Sequence, residues 1–309
     1  MNKATLIGIP IDLGTKNLGV DIGPNAFRYE HLIEKLTNVG FKITDNGNIS
    51  CKDKNTLKIG NPKLKYLEEI IRVSKIIASQ VELLIKKQEK IIALGGDHSI
   101  SLGTISGASA ALKGNLGLIY CDAHGDLNTD KTTSTGNIHG MHLASLMGFG
   151  DKHLTNIHNS SIKIAKNNLV HIGGNDLDKE EIEFIKKEKI KYYPIFDVLS
   201  TGLGPLFKLI NNLKSQVKNI WVSLDLDVID STYAPGTGMP NKAGLTYREI
   251  TTIAKYIGEN CNVVGLDIVE YNPLQDIDGK TAELGIELIA KLLGSNYSWY
   301  TNYLEQNKL

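Results

Sequence analysis

The chain has 309 residues, 41% of them hydrophobic, which is enough to bury a sizeable core and too apolar for a disordered chain. Lys plus Arg number 34 and Asp plus Glu 34, and this balance argues against a general polyanion or nucleic-acid binder. Cys51, Cys121 and Cys261 are too few and too scattered for a disulfide framework and lack the paired spacing of a zinc site, which fits a reducing compartment.

The opening MNKATLIGIPIDLG contains an apolar run too short for a secretory signal and no small-residue cleavage site. No stretch approaches the length of a membrane span, so a cytoplasmic protein without a membrane partner is expected. Short apolar runs follow in chain order and predict strands at Ala4–Ile9, Phe41–Thr44, Lys90–Leu94, Leu116–Cys121, Asn168–Ile172, Ile190–Pro194, Ile220–Leu224 and Asn262–Ile268. Apolar residues at helical spacing predict helices at Leu64–Lys87, Lys179–Lys187, Tyr247–Glu259 and Thr281–Leu293. Strands apolar throughout and separated by helices indicate a parallel sheet covered on both faces. With no linker, repeat or shift in composition, one α/β domain over residues 1–309 is the simplest partition.

In an open parallel sheet, functional loops gather outside the carboxyl ends of the strands. Four predicted strands end in acidic or histidine-bearing turns: GGDHS at 95–99, DAHGD at 122–126, DLD at 225–227 and DIVEYNP at 267–273. An Asp or His directly after a buried strand is costly unless it is paired, hydrogen-bonded or metal-bound. GGDHS alone reads as a turn with a capping Asp. DAHGD says more, because Asp122, His124 and Asp126 alternate and share one face of an extended segment, and Asp225 and Asp227 repeat the spacing.

Charge decides between a metal and no metal. Asp122, Asp126, Asp225 and Asp227 at one sheet edge would set four negative charges against neutral imidazoles, and they could not all stay ionised without cations. Two divalent ions would cancel them. Mixed carboxylate and imidazole donors without thiolate favour Mn²⁺, with Zn²⁺, Fe²⁺ or Co²⁺ as substitutes.

In this order, GGDHS, DAHGDLN, GNIHGM, SLDLDVID and GLDIVEYNP resemble the signatures of the ureohydrolase family, and among its members most resemble the arginases. The resemblance runs from VDIGPNAFR near position 20 to GKTAELG near 280. It implies a three-layer α/β/α sandwich around an eight-stranded, mainly parallel sheet, and two Mn²⁺ per subunit. One ion would be held by His98, Asp122, Asp126 and Asp225, and the other by Asp122, His124, Asp225 and Asp227. The implied reaction is cleavage of L-arginine to L-ornithine and urea by a metal-bridging hydroxide. Glu270 would anchor the guanidinium, and His139 would shuttle a proton to the leaving amine, with Asp126 as a second proton carrier. Asn128 and the segment Thr132–Asn137, including Thr135 and Asn137, resemble the loop that holds the substrate α-carboxylate. Asp178 and Glu181 match positions serving the α-ammonium, and each could equally be a helix N-terminal charge. His142, His153, His158 and His171 read as solvent or core residues.

Three departures from the family pattern stand out. Thr135 replaces a usual serine, Met239 a usual threonine, and Gly174 and Asn175 a leucine and an arginine, a change expected to loosen that loop or alter a subunit contact. The resemblance also implies a homo-oligomer, a trimer or hexamer. Competing readings are a ureohydrolase acting on agmatine, formiminoglutamate or guanidinobutyrate, and a non-catalytic metal-binding scaffold.

Overall fold

The predicted apolar runs form eight strands: β1 (Asn2–Ile9), β2 (Phe41–Asn48), β3 (Lys90–Gly95), β4 (Leu116–Asp122), β5 (Leu169–Gly173), β6 (Tyr192–Pro194), β7 (Asn219–Asp225) and β8 (Val263–Val269). The structure is a computed structural model and describes residues 2–14 and 18–295. The single-domain partition also covers residues 1, 15–17 and 296–309, which lie outside the described residues.

The strands join in one sheet of order β2-β1-β3-β8-β7-β4-β5-β6, and every pairing is parallel. Parallel neighbours require crossovers, and longer helices supply most of them: α1 (Leu67–Lys86), α2 (Ser101–Ala111), α3 (Lys179–Glu188), α4 (Gly204–Gln216) and α5 (Tyr247–Asn260), while α6 (Lys280–Leu292) follows the last strand. Alternation along the strands divides the core in two. In β4, Ile119 and Cys121 face a core with Leu206, Ile210 and Leu213 of α4, Ile250 and Ile253 of α5, and Ile286 and Ile289 of α6. Leu118 and Tyr120 face the other core, with Ile70, Val73 and Ile77 of α1 and Leu102 and Ile105 of α2. The result is the three-layer α/β/α sandwich that the family resemblance implies. No helix among the described residues is long and apolar enough to cross a membrane.

Most predicted boundaries shift by one or two residues, and two move further. The helix predicted from Leu64 starts at Leu67, because Leu64–Lys65 instead pairs with Gly60–Asn61 in a short hairpin. Strand β2 extends to Asn48, four residues past the apolar run; it is an edge strand with a largely exposed outer half, so polar residues continue it.

The fold brings the four motif-bearing strand ends side by side, since β3, β8, β7 and β4 are consecutive in the sheet. Register aligns them: Val269 pairs with Asp225, and Cys121 with Leu224. Glu270, Asp225 and Asp122 therefore emerge at one edge.

Candidate metal and substrate site

His98 leaves β3 through a tight turn that Asp97 builds. One Asp97 oxygen accepts from the Ser99 N–H at 3.0 Å, and the other from the Leu13 and Gly14 N–H groups at 2.7 and 2.8 Å. Asp97 is thus the capping residue of GGDHS, while His98 faces the acids. His98 Nδ1 lies 2.9 Å from Asp122 Oδ2, 3.3 Å from Asp225 Oδ2 and 3.5 Å from Asp126 Oδ2. His124 Nδ1 lies 3.3 Å from Asp122 Oδ1 and 3.1 Å from Asp227 Oδ2. Asp122 therefore turns one oxygen towards each imidazole.

The donor atoms fall into close groups: His98 with Asp122 and Asp225, Asp122 with His124 and Asp227, and His98 with Asp126 and His142. Asp225 Oδ1 accepts from the Asp227 N–H at 2.8 Å, which fixes the turn between the two acids. Spacings near 3 Å between oxygen and nitrogen donors are those of ligands sharing an ion with bonds of about 2.0–2.2 Å.

The electrostatics call for positive charge. Burial and the Asp122 carboxylate push Asp126 well above the usual carboxylate range, and burial with Asp227 and Asp122 does the same to Asp225. Burial also resists ionisation of Asp122; only with His124 and His98 both protonated do the imidazoles outweigh it and hold its pKa well below that range. The residues fit metal cations: the acids are buried, mutually repelling and grouped with imidazoles as donors.

The tautomer of His98 is set from behind. Its Nε2 lies 2.9 Å from Ser223 Oγ, and Ser223 is 3.2 Å from Asp267 Oδ2, which also accepts from Ser101 and Thr104. With its hydrogen on the carboxylate, the serine accepts the imidazole N–H, the tautomer in which neutral His98 presents a lone pair at Nδ1 to the acids. His171, fully buried, donates from Nε2 to the His124 carbonyl at 3.0 Å; burial lowers its pKa to about 4, so it stays neutral. Sequence reasoning gave Ser223, Asp267 and Asp176 no role. Asp176 Oδ2 lies 3.7 Å from His124 Nε2, and its nearness to Asp178 was the one available signal.

Above these groups opens a cavity of about 210 Å³, the size of a small metabolite. Of the predicted catalytic, metal and substrate residues, all line it except Asp122, which lies beneath: His98, His124, Asp126, Asn128, Thr135, Asn137, His139, Asp178, Glu181, Asp225, Asp227 and Glu270. Two of them hold left-handed backbone, Asp126 at φ 51° and Glu270 at φ 60°. That conformation costs a non-glycine residue about 1–2 kcal/mol, and strain of this kind gathers at functional sites. Glu270 is held there by its N–H to the Gly96 carbonyl at 2.9 Å and its carbonyl to the Gly238 N–H at 3.2 Å. Its Oε1 accepts from the His98 N–H at 3.0 Å and lies 3.5 Å from His139 Nδ1. A Cβ at position 238 would sit 2.8 Å from Glu270 Oε2, so Gly238 makes room for that oxygen.

The polar loop is held by its neighbours. Asn128 Nδ2 donates to Asp178 Oδ2 at 2.7 Å, and Thr132 Oγ1 donates to Asn128 Oδ1 at 2.8 Å. Thr135 Oγ1 accepts from the Asn137 N–H, and Lys65 Nζ reaches Asn137 Oδ1 at 3.3 Å. Gly136, at φ +75°, lies so close to the Pro62 carbonyl that a Cβ there would be 1.8 Å away. Asp178 and Glu181 are both helix-capping and cavity-lining, so neither sequence alternative excludes the other. Asp178 is the N-cap of α3, in a capping box with Glu181. Glu181 also accepts from the Leu127 N–H at 3.1 Å, and burial raises its pKa to about 7.

The segment at Gly174–Asn175 is tied down, not loosened: Tyr192 donates to the Gly174 carbonyl, and Asn175 and Asn241 exchange amide hydrogen bonds at 3.0 and 2.9 Å. Met239 lines the cavity and is 44% exposed, so its thioether meets solvent and whatever enters.

A parallel α/β/α sandwich whose central strand ends gather buried carboxylates and imidazoles under a small polar cavity defines the ureohydrolase class of hydrolases. The chain belongs to the arginase family: the sequence model of the Arginase family matches residues 2–294. It is 38% identical to the arginase of Bacillus subtilis over 291 residues, covering 94% of this chain and 97% of that one. The native structure of the arginase from Bacillus caldovelox superposes with a TM-score of 0.92 at 37% identity, over 96% of this chain and all of that one. The crystal structure of the arginase from Bacillus cereus gives a TM-score of 0.90 at 36% identity, with the same coverage. The protein is an arginase-type enzyme.

Proposed function

We propose that this chain hydrolyses the guanidinium group of L-arginine to give L-ornithine and urea, with two divalent ions per subunit. Mn²⁺ suits the mixed oxygen and nitrogen donors best, and Co²⁺, Fe²⁺ or Zn²⁺ are substitutes. The observation that carries this reading is Asp122, whose two oxygens face two imidazoles beneath a cavity lined by Glu270 and His139. His98, Asp122, Asp126 and Asp225 would hold one ion, and Asp122, His124, Asp225 and Asp227 the other. When bound, the pair supplies the Lewis acidity that makes water a nucleophile near neutral pH.

Binding and orientation fall to the chain's own side chains. With Oε1 tied to the His98 N–H, Glu270 keeps Oε2 for the planar N–H fork of a guanidinium, which fixes both charge and orientation. Burial opposes charge on His139, but Glu270 outweighs it and raises the pKa above that of an ordinary imidazole. His139 thus holds a proton near neutral pH for the leaving amine, and Asp126 is the second proton carrier. At the amino-acid end, Asn128, Thr135 and Asn137 would take the α-carboxylate, and Asp178 and Glu181 the α-ammonium.

A trimeric or hexameric assembly extends from the family resemblance, and a cytoplasmic setting from the scattered cysteines and short apolar runs of the sequence. The single-domain reading of residues 1–309 is supported by the joining of strands β1 to β8 in one sheet. The test is urea or amine release from L-arginine, agmatine, guanidinobutyrate and formiminoglutamate, with bound metal measured in the same sample. Preference for L-arginine is expected. Faster turnover of a compound lacking the α-carboxylate would overturn the substrate assignment, and no turnover of any of them with two ions bound would favour the non-catalytic scaffold.

A further inference from the structure

Beneath Asp122 lie a hydroxyl and an imidazole that the roles above leave unused. Tyr120 stands two residues before Asp122 on β4, so the two side chains share a face. It is fully buried, and its Oη lies 2.6 Å from Asp126 Oδ2, 2.7 Å from Asp122 Oδ2, 3.2 Å from His98 Nδ1 and 3.3 Å from His142 Nε2. His142 is also fully buried, with its ring 4.3 Å from that of His98.

The hydrogens at this point can be counted. A carbonyl oxygen only accepts, and the His139 carbonyl lies 2.5 Å from His142 Nδ1, so Nδ1 carries the hydrogen and Nε2 presents a lone pair. His98 directs its Nε2 hydrogen to Ser223 and likewise presents a lone pair at Nδ1. The two carboxylate oxygens are acceptors. One phenolic hydrogen therefore faces four acceptors, and it can satisfy one of them. Buried lone pairs left facing one another are costly. A cation among them relieves every one of these contacts.

We propose that Tyr120 Oη is a further oxygen donor to the ion held by His98, Asp122 and Asp126, and that His142 orients it. Locked by the His139 carbonyl, His142 takes the phenolic hydrogen at Nε2 and leaves the lone pairs of Oη turned towards the ion. No proton is lost in this arrangement. An added oxygen donor raises the coordination number and so favours Mn²⁺ over Zn²⁺, which prefers four ligands. The inference rests on the two-ion reading proposed above.

Two measurements test it. In a crystal structure of the Mn²⁺-loaded wild-type protein, Tyr120 Oη is expected within about 2.5 Å of one ion, the range of oxygen ligands to such cations. In calorimetric Mn²⁺ titrations, Tyr120→Phe is expected to weaken one of the two binding events about 10- to 100-fold. Ions bound between the histidine groups with Oη beyond about 3 Å, or unchanged Mn²⁺ affinity in Tyr120→Phe, would overturn the donor role and leave the two-ion reading intact. The absence of ions from both groups would overturn the two-ion reading and this inference together. The wild-type crystal decides the matter even if the variant does not fold.

Discussion

At the scale of single residues, the site is a set of buried charges whose costs are met by partners. Glu270 illustrates this: one oxygen is tied to backbone and the other is left for a cationic fork. Glu270→Gln is expected to lower kcat/KM by about 100-fold, close to 3 kcal/mol, because a neutral amide cannot balance a guanidinium. Metal content should be unchanged, and retained activity would remove Glu270 from substrate binding. Asp12 shows the opposite case, a buried acid with one carboxylate oxygen unpartnered among the described residues. Oδ2 accepts from the Gly19 N–H at 2.9 Å, Oδ1 has no partner among the described residues, and burial raises the pKa to about 7. The folded pKa lies above the unfolded one, so the stabilising contribution is complete below about pH 4 and is lost as pH rises through about 7. Asp12→Asn keeps the acceptor without the charge, so its unfolding free energy should fall less between pH 5 and 8 than that of the wild type. Equal slopes in denaturant titrations would contradict this. Asp12 was not singled out in the sequence, whereas the acids and histidines at the ends of β3, β4, β7 and β8 were legible there because each motif follows a strand. Tyr120, Ser223, Asp267 and His142 were not, because only folding shows that their polar atoms face the acids.

At the scale of elements, the eight strands and the long amphipathic helices were legible because burial on one side leaves a period in the sequence. Helix α2 left none: residues Ser101–Ser109 are buried on every side, so no polar face marks it. Helix α4, Gly204–Gln216, was also not read as a helix, although it buries Leu206, Ile210 and Leu213 at helical spacing. Helix α3 couples structure to recognition, since its N-cap Asp178 also holds Asn128. Asp178→Ala is expected to cost about 1 kcal/mol of stability through the lost cap. It should also raise KM for L-arginine more than it lowers kcat, because it frees the loop that receives the amino-acid end. A stable variant with unchanged KM would sever that link.

At the scale of the molecule, the sheet order does what no single motif does. Segments 22 to 172 residues apart become neighbours because β3, β8, β7 and β4 are consecutive, and their ends bring Glu270, Asp225 and Asp122 out together. The sequence showed that each strand end was polar, and the parallel order made them one site. The most direct test of the account is the number of ions bound per chain in the wild type and in Asp122→Ala, measured by elemental analysis after dialysis against Mn²⁺. Since Asp122 faces both histidine groups, the account predicts two ions in the wild type and a weakening of both in the variant. A variant that still binds two ions tightly would contradict it.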